Sequence, residues 1–233
     1  MREIPFSAVI PAAGPGRRTG EKVPKPWLDL EGEPMVVRTL RSFVGVAGLR
    51  RVALALMPDE LDERRRELDR WELPLELDFC PGGKLRQDTV AAALELLRPQ
   101  DDEMIVIHDA ARPFVTPELI LEVVRKAAEC QAAIAAVPVS DTIKEVDKVG
   151  FVRSTPPRRH LWHAQTPQAV RAGVLTRGLA LARERDIELT DDASAAELIG
   201  FRVAVVRGFE RNFKITTASD LAYARFLLRE GAE

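Results

Sequence analysis

The sequence predicts an α/β fold: a mostly parallel twisted sheet with helices on both faces, plus a projecting β-hairpin. Three observations carry this. Short apolar runs alternate with helical segments over residues 6 to 137, the pattern of a parallel sheet covered by crossover helices. Some of those runs are apolar throughout, as in Met104–Ile107, which suits strands buried on both faces. From Val139 to Leu161 the pattern changes to apolar and polar residues in alternation, interrupted by a turn at Asp147 to Gly150.

Phe6 to Ile10 reads as the first strand, closed by Pro11 and followed by a loop rich in Gly, Pro and Arg. Pro34 opens a helix with Met35, Val36, Val37, Leu40 and Phe43 as its apolar positions. Arg51 to Met57 is the second strand, and Pro58 starts a charge-laced helix reaching Arg70. Leu75 to Phe79 is the third strand, broken by Gly82 and Gly83. Gln87 to Leu97 is helical, and Met104 to Ile107 is a central strand. Thr116, Pro117 and Glu118 mark a helix start, with Thr as N-cap, Pro in the first turn and an acid near the positive helix end. Ala132 to Val137 is a further strand. After the hairpin, helices are expected near Arg171–Asp186 and Asp191–Ile199, a strand at Phe201–Val206 and a closing helix at Thr217–Arg229.

The 233 residues suffice for one domain with a sizeable core, and residues 139–161 form an arm of that domain. A two-stranded hairpin carrying Ile143, Val146, Val149 and Phe151 is marginal alone, so a second copy of the chain is expected to cover it. A net charge of −2 argues against a general nucleic-acid or membrane-surface binder. Two cysteines without a CxxC pair and three histidines without metal-site spacing point away from a protein-built zinc site. The first apolar run is too short for a signal peptide or membrane span, so a cytoplasmic protein is expected.

In open parallel sheets ligands bind beyond the carboxyl ends of the strands. The unusual loops, at 12–26, 81–86 and 108–113, fall there. Pro11-Ala-Ala-Gly-Pro-Gly-Arg-Arg18 suits close approach of backbone N–H groups to phosphate oxygens. It is neither a Walker loop nor a dinucleotide fingerprint. Arg17, Arg18 and Lys25 crowd positive charge around it, which favours a bound anion.

Five segments then occur in order: Pro11 to Lys25-Pro26, Gly82-Gly83-x-x-Arg86-Gln87-x-Thr89-Val90, His108-Asp109-Ala110-Ala111-Arg112-Pro113, Leu161-Trp162-x-Ala164-Gln165-Thr166-Pro167-Gln168, and Asn212-Phe213-Lys214-Ile215-Thr216. Together they resemble nucleotidyltransferases with a glycosyltransferase-A-like fold, and within them the 2-C-methyl-D-erythritol 4-phosphate cytidylyltransferase family of the non-mevalonate isoprenoid pathway. The resemblance implies a homodimeric enzyme that joins CTP and methylerythritol 4-phosphate, giving a CDP-linked alcohol and pyrophosphate. It implies Arg18 and Lys25 as the catalytic charges at the α-phosphate, with Mg2+ held mainly by the triphosphate and Asp109 as a candidate ligand. Ala12, Ala13, Gly14, Gly83, Lys84, Thr89 and Asp109 would contact CTP. Lys84 stands where some members have an acid, so its contact is expected through the backbone. Asp109, Arg112, Thr142, Arg158, Thr190 and Lys214 would hold the acceptor, with Thr142 and Arg158 (or its neighbour Arg159) reaching in from a partner subunit. Three rival readings are a ribitol 5-phosphate cytidylyltransferase, an idle nucleotide-binding regulator, which would be expected to lose Arg18 or Lys25, and a sugar transferase, which would want an acidic pair where Asp109 is followed by two alanines.

Overall fold

The structure, a computed structural model, describes residues 3–14 and 23–231. Seven strands form the main sheet in the order β11-β7-β10-β6-β1-β4-β5. They are β1 (Phe6–Pro11), β4 (Leu49–Leu56), β5 (Leu77–Pro81), β6 (Met104–Ile107), β7 (Ala132–Pro138), β10 (Trp162–Arg171) and β11 (Ala204–Arg207). All neighbours pair in parallel except β10, which runs antiparallel to both β6 and β7.

Successive strand residues enter two different cores, as the pleat requires. Phe6, Ala8, Ile10, Val52, Leu54, Leu56 and Val106 pack with α1 (Met35–Arg41), α2 (Leu61–Asp69) and α4 (Pro117–Cys130). Val9, Ala53, Ala55, Ile105 and Ile107 pack on the other face with α3 (Arg86–Leu97), α5 (Ala172–Glu184) and α6 (Ser194–Leu198). A third small core joins Leu28, Leu30 and Met35 to Ile215 and to Leu221 and Ala224 of α7 (Ala218–Arg229). It binds the segment after Lys25 to the segment after Lys214.

The expected strands and helices are present, with shifts of a few residues that follow local chemistry. Thr116 caps α4 by accepting from the Leu119 amide at 3.3 Å. Pro34 precedes the first helical residue instead of occupying it, and it closes β3 (Glu33–Pro34), paired with β2 (Asp29–Leu30). Residues 58–60 form a 3-10 turn before α2. The helix expected from Asp191 starts at Ser194, because the Asp191 carboxylate accepts from the Ser194 amide and hydroxyl.

β10 is the main departure. Its stretch Gln165-Thr-Pro-Gln168 has neither alternation nor an apolar run, yet Gln165 to Val170 are buried. The polar side chains there are satisfied by distant loops, as described below. The expected hairpin is β8 (Glu145–Val146) with β9 (Val152–Ser154), turned at Asp147, whose carboxylate accepts from the Val149 and Phe151 amides. Val149 and Phe151 are 77% and 73% exposed.

Candidate active site

β1 has β4 on one side and β6 on the other, so the chain winds outward in both directions from the β1–β6 pair. At that switch point the loops leaving the carboxyl ends of the strands diverge and leave a crevice. A cavity of about 490 Å³ lies there. Its lining comes from the ends of β1 (Pro11 to Gly14), from Gly83 to Arg86 and Thr89 beyond β5, from Asp109 to Ala111 beyond β6, and from Lys25, Pro26, Lys214 and Thr216. Lys25, Lys84, Arg86 and Lys214 face one carboxylate among the described lining residues, Asp109. That excess of positive charge suits a polyanionic ligand.

Asp109 is the hub. One oxygen accepts from Arg86 at 2.7 Å; the other accepts from Lys214 at 2.9 Å and Arg112 at 3.4 Å. Burial alone would raise its carboxyl pKa, but Arg86, Lys214 and Arg112 outweigh that and hold it well below the ordinary carboxylate range. Arg86 also grips Asp192 with a 2.6 Å contact and two of 3.1 Å. Burial raises the Asp192 carboxyl; Arg86 opposes this, and the neighbouring Asp109 and Asp191 carboxylates add to the rise. Arg112 is nearly buried and donates to the Asn212 carbonyl at 2.8 Å.

The loop beyond β5 is held by close packing. A side chain at Gly82 would strike the Ala13 methyl, and one at Gly83 would strike Asp88. The Thr89 hydroxyl accepts from the Gly83 amide at 3.0 Å and donates to the Leu85 carbonyl at 3.1 Å. Asp88 accepts from the Leu85 amide at 3.1 Å. Thr89, expected as a direct nucleotide contact, thus shapes the loop that lines the cavity as well as lining it.

β10 and the segment before Lys214 form a buried polar frame behind the site. Gln168 accepts from the amides of Asp192 and Ala193 at 3.1 and 2.9 Å and donates to Asp191 at 3.0 Å. Asn212 donates to the Thr166 carbonyl at 2.8 Å and to Gln165 at 3.1 Å. The Thr166 hydroxyl accepts from the Asp109 amide at 3.0 Å, which directs its own hydrogen to Nδ1 of His108, also at 3.0 Å. Nε2 of His108 lies 3.1 Å from the Arg112 carbonyl, so that nitrogen carries the proton. Burial pushes the His108 pKa down to about 4, so the ring is a neutral strut with both nitrogens occupied.

Of the residues expected to meet CTP, Ala12, Ala13, Gly14, Gly83, Lys84, Thr89 and Asp109 all line this cavity. Lys25 and Lys214 line it too, and Arg112 stands behind Asp109. Arg18 lies outside the described residues. The structure does not bring Thr142, Arg158 or Thr190 to the cavity within one chain. Thr142 is exposed on the arm, Arg158 donates to the Ser140 carbonyl at 2.6 Å, and Thr190 pairs with Ser194 at 3.2 Å. No local pattern in the sequence marks Arg86 or Asp192 as functional. Arg86 falls within the Gly82–Val90 motif, but its two partners are 23 and 106 residues away.

A family model described as 2-C-methyl-D-erythritol 4-phosphate cytidylyltransferase matches residues 6–230. The chain is 40% identical over 230 residues to the protein of that name from Symbiobacterium thermophilum, covering 99% of this chain and 95% of the relative. It is 42% identical over 225 residues to the Bifunctional enzyme IspD/IspF of Desulforudis audaxviator, covering 96% of this chain and spanning 57% of that longer relative. The crystal structure of 2-C-methyl-D-erythritol 4-phosphate cytidylyltransferase from Thermus thermophilus superposes with a TM-score of 0.78 at 33% identity, covering 97% of this chain and 100% of that one.

Proposed function

The chain belongs to the 2-C-methyl-D-erythritol 4-phosphate cytidylyltransferase family, and from that premise we propose that its site transfers the cytidylyl group of CTP to methylerythritol 4-phosphate, releasing pyrophosphate, in isoprenoid precursor synthesis. The observation that carries the reading is the meeting of Lys25, Lys84, Arg86 and Lys214 around Asp109 at the β1–β6 switch point.

A phosphate monoester, with a second pKa of about 6, is largely dianionic near neutrality and needs no general base. His108 supplies none, being neutral and occupied on both nitrogens. The obstacle is repulsion between the attacking phosphate and the triphosphate. In this reading Lys25 and Arg18 stabilise the charge that builds at the α-phosphate as pyrophosphate leaves in line. The Ala12–Gly14 backbone and the loop at Gly83–Leu85 hold the nucleotide. Lys214 receives the acceptor phosphate, backed by Arg112, which stands behind Asp109 and outside the cavity lining.

Mg2+ would neutralise triphosphate charge. Among the described residues no group of three metal-ligating side chains forms a cage, and Asp109 has both oxygens engaged by cations. The ion is therefore assigned mainly to the triphosphate, with Asp109 able to join it after Arg86 or Lys214 shifts.

The reading extends to a homodimer through residues 139–161. Its support is the exposed apolar surface of Val146, Val149, Phe151 and Val152 on a two-stranded arm. Thr142 and Arg158 sit on that arm, and in this reading they serve a neighbouring subunit. Among the described residues no helix is long and apolar enough to cross a membrane, and Cys80 and Cys130 are free thiols. The cytoplasm is the location this reading proposes.

Pyrophosphate release from CTP, measured with methylerythritol 4-phosphate and ribitol 5-phosphate in parallel, tests the assignment. We expect kcat/KM to favour methylerythritol 4-phosphate by more than tenfold. The opposite ranking would move the acceptor assignment to ribitol phosphate, and release with neither would remove the transferase reading. Lys25→Ala and Arg18→Ala should each lower turnover at least about 100-fold in a chain that still folds.

A further inference from the structure

Lys25 has little backbone freedom of its own. Pro24 and Pro26 fix their own φ angles, and Pro26 narrows the choices of Lys25 as well. Residues 25–27 form a 3-10 turn, closed by hydrogen bonds from Trp27 to the Pro24 carbonyl at 2.8 Å and from Leu28 to the Lys25 carbonyl at 3.2 Å. Such a turn moves as one piece, so whatever anchors Trp27 also sets the position of the Lys25 backbone.

Trp27 is 6% exposed and joins the core that contains Leu68 of α2. Arg64, also on α2, lies over the indole with its guanidinium 4.7 Å from the ring centroid. Two carboxylates of the same helical segment hold that guanidinium: Glu60 at 2.9 Å and Glu67 at 2.8 Å. A cation placed over an indole and kept there by two ion pairs is a clamp. The charge on α2, which the reaction does not otherwise use, finds a purpose here.

We infer that Arg64 and Trp27 are positioning residues for the reaction: the Arg64–Trp27 stack locks the 25–27 turn so that the Lys25 ammonium meets the α-phosphate. The inference rests on the catalytic reading of Lys25. Positioning of this kind acts on the transition state more than on ground-state binding, since small displacements of a catalytic charge cost rate steeply.

The test is a double-mutant cycle in the full chain with steady-state kinetics. Arg64→Ala should lower kcat about tenfold while leaving the KM for CTP within about twofold. Arg64→Lys, which keeps a cation but cannot stack flat and bridge both carboxylates, should recover part of the loss. In the Lys25→Ala background, Arg64→Ala should cost almost nothing further, because the residue it positions is already gone. If the two losses multiply instead, Arg64 acts on general stability or elsewhere in the site and the inference is wrong. An Arg64→Ala enzyme with normal kcat would also overturn it, while leaving the role of Lys25 standing. Near-normal turnover in Lys25→Ala alone would remove the catalytic reading and the inference with it. Should Arg64→Ala fail to fold, Arg64→Gln keeps the stem over the ring without the charge, and Trp27→Phe keeps a smaller ring. Both must show the same lack of additivity with Lys25→Ala, and additive losses in them would overturn the inference equally.

Discussion

The buried groups behind this site tie its stability to pH, and His108 shows how. The ring is fully buried and neutral, with its pKa pushed down to about 4 from an ordinary 6.5. As pH falls through 6.5 the unfolded chain takes up a proton that the folded chain refuses, so stability drops until the folded pKa near 4 is reached. The loss should be about 2 kcal/mol between pH 7 and pH 5. Urea unfolding at the two pH values checks this, and His108→Gln should remove most of the difference. Asp109 acts in the same direction but in a more acidic window. Its carboxyl is held below its ordinary value, so its contribution is present above the ordinary carboxylate range and is lost only in stronger acid. Lys214 rests on Asp109 at 2.9 Å and is 40% exposed, so it can be drawn to an incoming phosphate. Lys214→Ala should therefore raise the KM for methylerythritol 4-phosphate by far more than that for CTP. Equal effects on both substrates would abolish that division of the site. Thr89→Val should raise the KM for CTP, because the loop at 83–85 loses its hydroxyl clip, and Thr89→Ser should retain most of it.

At the scale of elements, the helices and β10 are held by different means. α4 was readable from its cap: Thr116→Ala should cost about 1 kcal/mol of stability and leave turnover unchanged, a comparison that urea melts and a standard assay decide. β10 has no such local sign. Its residues Gln165, Thr166 and Gln168 are polar and buried on a strand covered from both faces, and they are tolerable only because loops 23 to 58 residues away supply their partners. Gln168→Ala should leave the amides of Asp192 and Ala193 unpaired, costing about 2 kcal/mol or more, and should loosen the Asp192–Arg86 grip. A fall in kcat/KM beyond that of a surface control, with the fold intact, is the expected result.

For the whole molecule the arm decides. Val149 and Phe151 are left almost fully in water by a single chain, and Arg158 stands away from the cavity. The proposed dimer, in which each arm would complete the neighbouring site, would account for both. Mixing inactive Arg158→Ala chains with inactive Lys25→Ala chains should restore activity, since some sites of the mixed dimer then hold both intact residues. Proven subunit exchange with no recovery would rule out the action in trans. Phe151→Asp should shift the mass measured by light scattering toward a monomer.

Much was determined by the sequence alone. The alternation of apolar runs and helices, the cap at Thr116, the loops at 12–14 and 82–83 and the ordered motifs are local signals, set by periodicity and turn chemistry within a few residues. They led to the α/β sheet and to the family, and the residues expected to contact CTP line one cavity. The tertiary structure decided the rest. It inserted β10 antiparallel between β6 and β7, joined Arg86 to Asp192 across 106 residues, and laid Arg64 over Trp27. No local pattern announces these, because a buried polar or charged group is stable only when a partner desolvated with it lies within hydrogen-bond reach, and the packed sheet alone fixes which distant loop supplies that partner.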